Sequence, residues 1–490
     1  MSANHIDKVR AALASDALNG RLSFLADAGP GVFYACGACI LESAAGAEPG
    51  GIQIACARPT GKVAASLAGE TGLFPVELKG SPGVLHLSGK GERGVTLLPM
   101  QGPDILAFVK QAPFTVLGMA VDIGGAQPFE VIDPLRGLED LASGALRSTT
   151  PSALAAVPAS MLFAAGARND FGLEADAATV SMMRAAAPAV RGMNPVKAWD
   201  SLARLFSGRR LSDTATFLKD VGLLGELLPE VARIYDVPQN YYHHLGVWGH
   251  TLETLDRLDE MMADVPAHFR AHAGRIERHL ALPVEGGIDR RSFLALAALI
   301  HDVGKADTMT VLASGRIRFQ GHQEAGGRLA GAIALRMGLG TRGRRLLSGI
   351  VRDHMLLGFM IREGESTSTR LRAATELGDR CIEAVMLSIA DRLATKGEAS
   401  TDKGLGLFRR VALRVLGDWC WLNDFPPLVD GREVMVHGGL APGPLVGEVL
   451  FKARVAQRES IVSSRDEALE FLAPDFKGRM DARGAEGRAL

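Results

Sequence analysis

Six residues of this chain, His250, His301, Asp302, His322, His354 and Asp391, carry the side chains that bind divalent metals. Nine of the twelve histidines lie between positions 243 and 354, so imidazole is concentrated in one third of the protein. Imidazole with carboxylate suits Mn²⁺, Fe²⁺, Co²⁺, Ni²⁺ or Zn²⁺, and carboxylate with water suits Mg²⁺. One or two such ions are expected here, as Lewis acids that also activate water.

The elements that must position these groups are helices. His250 lies in Trp248-Gly-His-Thr-Leu-Glu-Thr-Leu-Asp-Arg-Leu258, whose apolar residues recur at helical spacing. His301 and Asp302 follow the run Phe293 to Ile300, and Asp391 follows Val385 to Ala390. Each therefore ends or interrupts an apolar helix, where a rigid buried element can aim a polar tip at a common point. Adjacent residues project in different directions on a helix, so Asp302 can bridge two ions while His301 binds one. His250, His301, Asp302 and Asp391 form the first expected ligand set, and His322 with His354 supplies a second ion. A lone histidine at a helix end is usually an ordinary core or surface residue; the ordered series singles these out.

A length of 490 residues predicts two to four domains, and 47% hydrophobic with 22% charged residues describes an ordinary globular chain. The net charge of −1 excludes a global basic field, so nucleic-acid binding requires a local patch. Five scattered cysteines make no disulfide framework in a chain this long, and a reducing compartment fits. No signal core and no run near ~18 apolar residues is present, which predicts a cytoplasmic protein without membrane contact. Oligomeric state is not legible.

The expected fold class is α+β. Residues 1–148 read as a mixed α/β head: helical stretches at 5–27 and 60–70 flank strand-like runs at 31–36, 51–56, 95–98 and 114–122. Residues 149–235 read as a helical neck, 236–400 as the metal-binding helical domain, and 401–490 as a C-terminal helical region with a polar, Gly-rich, disordered tail. Gly89-Lys-Gly-Glu-Arg-Gly94 fits a dinucleotide fingerprint but precedes a strand, so a glycine-rich hairpin is favoured. Cys36-Gly-Ala-Cys39 lies in an apolar strand and turn and reads as packing rather than redox chemistry. His268, His272 and His279, flanked by arginines, read as a solvated face.

His301-Asp302-Val-Gly-Lys305, with His250 before it and Asp391 after it, resembles the HD superfamily of metal-dependent phosphohydrolases. Val237 to Leu252 and Gly315 to Gly327 resemble, more narrowly, the HD region of bacterial tRNA nucleotidyltransferases (CCA-adding enzymes) and poly(A) polymerases. Gly431-Arg-Glu-Val-Met435, Pro442 to Gly447 and Arg465 to Leu472 are similar to that family's C-terminal helices. The resemblance implies a nucleotidyltransferase-like head and an HD body. It also implies phosphomonoesters, 2′-nucleotides or 2′,3′-cyclic phosphates as substrates, on nucleotides, tRNA or other RNA ends. Within it Asp302 and Lys305 are the catalytic candidates, Lys305 by neutralising a phosphate oxygen, while His322 or His354 could instead protonate the leaving group.

The same resemblance exposes a defect in the head. The family's Gly-Gly-x-x-Arg-Asp turn reads Cys36-Gly-Ala-Cys-Ile-Leu41 here, and its two metal-binding aspartates read Gly51 and Gln53. Its nucleotide-binding segments read Gln111 to Leu117 and Val157 to Gly166, although Ile132 to Leu141 still matches. Phosphoryl transfer from a triphosphate needs the ion those carboxylates hold. The expectation is an HD phosphohydrolase with an inactive head; the alternatives are a working tRNA nucleotidyltransferase or poly(A) polymerase, and a non-catalytic tRNA-binding protein.

Overall fold

In the computed structural model the described residues are 2–14, 31–78, 82–89, 94–124, 130–239, 244–396 and 401–486. They divide into two compact units, Met1–Ala232 and Arg233–Leu490. The α+β class holds: a sheet-bearing N-terminal unit and a helical C-terminal one.

The first unit is built on a seven-stranded sheet of β1 (Phe33–Cys36), β2 (Ile52–Cys56), β3 (Phe74–Glu77), β4 (Leu85–Ser88), β5 (Val95–Pro99), β6 (Ala120–Asp122) and β7 (Val131–Ile132). Their order is β3-β4-β5-β2-β1-β6-β7, with β2 and β5 parallel and the other pairs antiparallel. The central strands β1 and β2 are almost wholly buried, which is why they read as continuous apolar runs. Helices α1 (Ser2–Ala14), α2 (Ala38–Ala45) and α3 (Thr60–Thr71) accompany the sheet. The remainder of the expected 5–27 helix, from residue 15 on, lies outside the described residues. β4 and β5 pair antiparallel as neighbours in sequence, as a hairpin requires; its tip, 90–93, is outside the described residues.

The run 114–122 is not one strand. Phe114 makes an isolated bridge to Ser148, Thr115–Leu117 form a 3₁₀ turn, and only Ala120–Asp122 join the sheet. Gly118 sits between them where a Cβ would meet Leu135 Cδ1 at 2.5 Å, so the backbone turns against a neighbour instead of extending. Helices from Pro151 to Ala232 complete the unit, several opened by side-chain caps from Thr150, Asp176 and Asn194.

The second unit is helical apart from two short hairpins, Pro283–Glu285 with Ile288–Asp289 and Met309–Val311 with Ile317–Phe319. Its central elements are α4 (Val247–Ala263), α5 (Arg290–Ile300), α6 (His322–Arg336), α7 (Thr341–Asp353), α8 (Leu356–Glu363) and α9 (Cys381–Ala394). Asp289 caps α5 by accepting from Ser292 N at 2.9 Å, and every residue from Ser292 to Ile300 is buried. α9 is likewise buried from Cys381 to Ala390. A helix apolar on all sides belongs in a core, and α4, α7 and α9 pack around α5. A separate apolar cluster, with Val434, Val449 and Leu472, joins the helices after Asp430. The last helix runs from Arg465 to Glu486, through the segment whose composition predicts disorder. No helix among the described residues is long and apolar enough to cross a membrane.

Candidate metal centre

All six predicted ligand residues converge in the second unit. His250 stands in the first turn of α4, His301 and Asp302 directly after α5, His322 at the start of α6, His354 directly after α7, and Asp391 in the last turn of α9. Their donor atoms fall into two groups, His250 with His301 and Asp391, and Asp302 with His322 and His354, each within 4.8 Å. His250 Nε2 lies 2.8 Å from Asp391 Oδ1 and 3.7 Å from Asp302 Oδ2. Asp302 Oδ2 is also 3.2 Å from His301 Nε2, while its Oδ1 is 3.5 Å from His322 Nε2. The carboxylate thus presents one oxygen to each group. The ring of His354 closes the set, 5.2 Å from that of His301 and 5.3 Å from that of His322.

The histidines are oriented by their own helices. His301, His322 and His354 each place Nδ1 on the carbonyl three residues back, Ala298, Phe319 and Val351, at 2.8, 2.9 and 2.6 Å. Donation to a carbonyl puts the proton on Nδ1 and leaves the Nε2 lone pair facing the centre. The turn from Asp302 to Lys305 is held against α6 by backbone contact: a Cβ on Gly304 would lie 2.2 Å from the His322 carbonyl oxygen and 2.6 Å from Gly326 N. Only glycine at 304 lets His322 come this close to Asp302.

The chemistry of this donor set fits a divalent cation. His301 Nε2 is buried without a hydrogen-bond partner and faces Asp302 Oδ2 at 3.2 Å. Burial works against the imidazolium of His301, yet Asp302, Asp391 and the Ala298 carbonyl together outweigh it and raise its pKa, so positive charge is favoured at this point. Burial likewise opposes ionisation of Asp302, but His301 and Lys305 hold it well below the usual carboxylate range. Asp391 is kept low against burial by the hydrogen bond and charge of His250. Burial lowers His322, and burial with His301 and His322 nearby pushes His354 down to about 3, which keeps its imidazole neutral and available as a ligand.

Lys305 is buried, with Nζ 2.7 Å from Asp302 Oδ2 and donating to Gln239 Oε1 at 3.2 Å. Its ammonium is therefore committed to a ligand carboxylate in this arrangement. The triad His268, His272 and His279 divides. His279 is buried rather than solvated, because its Nε2 meets Glu383 Oε1 and Oε2 at 3.2 and 3.3 Å. Glu383 also takes Arg290, whose Nη1 reaches Asp379 at 2.8 Å. This buried network joins the N-terminal ends of α5 and α9, and no short motif announces it in the sequence.

The head offers a different surface. Gln53 Oε1 accepts from Ala38 N at 3.1 Å, and Gly37, at φ 68°, has no room for a Cβ because that oxygen would be 2.4 Å away. Ile40 and Leu41 are fully buried. The adjoining cavity, about 830 Å³, is lined by Gln53, Phe108, Lys110, Gln111 and Phe163 among others, with no Asp or Glu in its wall among the described residues. Glu42 and Asp122, on elements beside this turn, accept backbone N–H groups of Gly50 and of Gly31 and Gly124. The three cysteines here are free and buried.

The class follows from this geometry and from a family match: the HD domain family covers residues 242–396, the span that carries all six candidate ligands. The chain is 33% identical over 278 residues to a CC-adding tRNA nucleotidyltransferase of Thermus thermophilus, covering 56% of this chain and 55% of that protein. It thus spans about half that relative's length. It is 30% identical over 369 residues to a multifunctional CCA protein of Halorhodospira halophila, covering 72% of this chain and 78% of that one. The Thermotoga maritima CCA-adding enzyme complexed with tRNA shares the fold over 94% of each chain, at a TM-score of 0.60 and 15% identity. The chain belongs to the tRNA nucleotidyltransferase family. A divalent metal goes with that family and with both donor groups.

Proposed function

We propose that this chain acts in RNA 3′-end metabolism as an HD-type phosphohydrolase. Its substrates are phosphomonoesters, 2′-nucleotides or 2′,3′-cyclic phosphates on nucleotides or RNA ends, and its nucleotidyltransferase head is inactive. The observation that carries this reading is the contrast between the two units: six candidate ligand groups converge in one, and among the described residues the cavity of the other has no carboxylate in its wall.

Bound at His250, His301 and Asp391 and at Asp302, His322 and His354, divalent metal supplies Lewis acidity toward phosphate and acidifies water. The chain does the rest. Three Nδ1-to-carbonyl hydrogen bonds fix the imidazoles, Asp302 links both groups, and the buried helix ends exclude bulk solvent. Lys305 holds Asp302 ionised and is placed to turn toward a phosphate oxygen.

The second reading, nucleotidyl transfer by the head, is favoured by the names of the relatives. It requires a carboxylate pair where Gly51 and Gln53 stand, at the start of β2. One experiment separates the two. The purified protein is given a phosphoester panel, with the His301→Ala/Asp302→Ala variant as control, and in parallel labelled CTP and ATP with tRNA lacking its 3′ end. Metal-dependent hydrolysis lost in the variant, without incorporation above a heat-killed control, is expected; incorporation that survives in that variant would establish transfer by the head.

A further inference from the structure

Beside the second donor group a cavity of about 620 Å³ opens, with His322 in its wall. Because His322 Nε2 is 3.5 Å from Asp302 Oδ1, whatever fills this cavity adjoins the metal centre. Its other walls carry Arg318 and Phe319 from the second hairpin and Phe359 and Arg362 from α8. The guanidinium of Arg362 lies over the Phe359 ring, 4.8 Å from its centroid, so cation and aromatic face are presented together. Among the described residues neither Arg318 nor Arg362 has an acidic ion-pair partner, whereas many other arginines of this unit do. The carboxylate in the wall, Glu324, takes a hydrogen bond from Gln323 Nε2 at 3.1 Å.

Two guanidiniums without an acidic partner, that of Arg362 held by Nε donation to the Gly358 carbonyl at 3.3 Å, beside a half-buried phenyl ring are what a nucleotide needs. Arginine binds phosphate through paired N–H donors, and an aromatic ring stacks a base without regard to its identity. A single nucleotide with its terminal phosphate at the metal centre leaves both arginines without an anion. Resting on the phosphohydrolase reading, the geometry points to an extended subsite for an RNA strand. The terminal phosphoester lies at the metal centre, the internucleotide phosphate lies on Arg318 and Arg362, and the preceding base stacks on Phe359. The enzyme then selects strand ends over free mononucleotides.

The test compares kcat/KM for adenosine 2′,3′-cyclic phosphate with that for adenylyl-adenosine 2′,3′-cyclic phosphate, in the wild type and in Arg318→Gln, Arg362→Gln and Phe359→Leu. Melting temperature and metal content of each variant are checked against the wild type. The dinucleotide is expected to be preferred by at least about tenfold, and each arginine variant to lower that preference by about tenfold, the loss of one charge-assisted hydrogen bond. Equal kcat/KM for the two substrates, or a preference that the variants leave intact, overturns the subsite. Calorimetric binding of the dinucleoside monophosphate ApA to the metal-loaded protein gives a readout independent of hydrolysis. Arginine-dependent ApA binding with neither cyclic phosphate hydrolysed would refute the hydrolase reading and retain the subsite, and ApA binding indifferent to both arginines would refute the subsite.

Discussion

Glu383→Gln should destabilise the C-terminal unit severely, although position 383 is not a ligand. Glu383 is fully buried, Arg290 is 1% exposed, and their side chains pair directly. His279 adds a contact at 3.2 Å, and Arg290 Nη2 also donates to the Asp379 carbonyl at 2.7 Å. Removing one partner of a buried pair leaves an uncompensated charge and costs about 3–5 kcal/mol. Asp379 remains on Arg290, but its side chain is 78% exposed, so its attraction is screened and replaces only part of the loss. The expected cost is therefore at the lower end, about 3 kcal/mol. With a urea slope of roughly 1–3 kcal/mol/M, the midpoint falls by about 1–3 M. Trp419, whose ring meets His279 edge-on at 5.9 Å, reports the transition by fluorescence. The Arg290→Met/Glu383→Leu double variant should lose much less than the sum of its single changes, since no charge is stranded. A midpoint shift below about 0.3 M for Glu383→Gln would refute the view that this pair is charged and desolvated.

Two further outcomes follow from the sites. If Asp302 links two ions, His322→Ala/His354→Ala should reduce bound metal by about half in elemental analysis, while full metal content would leave a mononuclear centre on His250, His301, Asp302 and Asp391. Burial raises Cys39 to about 11 and Cys56 to about 12, and Cys36 higher still. A raised thiol pKa keeps the unreactive protonated form up to high pH, so iodoacetamide at pH 8 should modify none of the three before unfolding. Rapid native labelling at Cys36 or Cys39, seen by mass spectrometry, would revive a redox role for that pair.

The candidate ligand residues stood out in the sequence because His250, His301-Asp302 and Asp391 sit on helices with apolar runs, and because His301-Asp302-Val-Gly-Lys305 has an order that chance rarely produces. The inner strands of the head were legible for a related reason: β1 and β2, buried on both faces, and β5, buried at Val95 and Leu97, show as short apolar runs. The edge strand β3, exposed along its whole length, gave no such signal, and the run 114–122 misled because a turn at Gly118 looks apolar too. Which ligands share a group was a tertiary matter. The division of Asp302's two oxygens depends on α6 reaching Gly304 by backbone contact, over a separation that periodicity does not encode. The burial of His279 against Glu383, and the placing of Arg318 and Arg362 on the wall of one cavity, were decided in the same way. Local sequence specifies which residues lie on one helix face; the distance between faces of different helices is set only when their side chains pack.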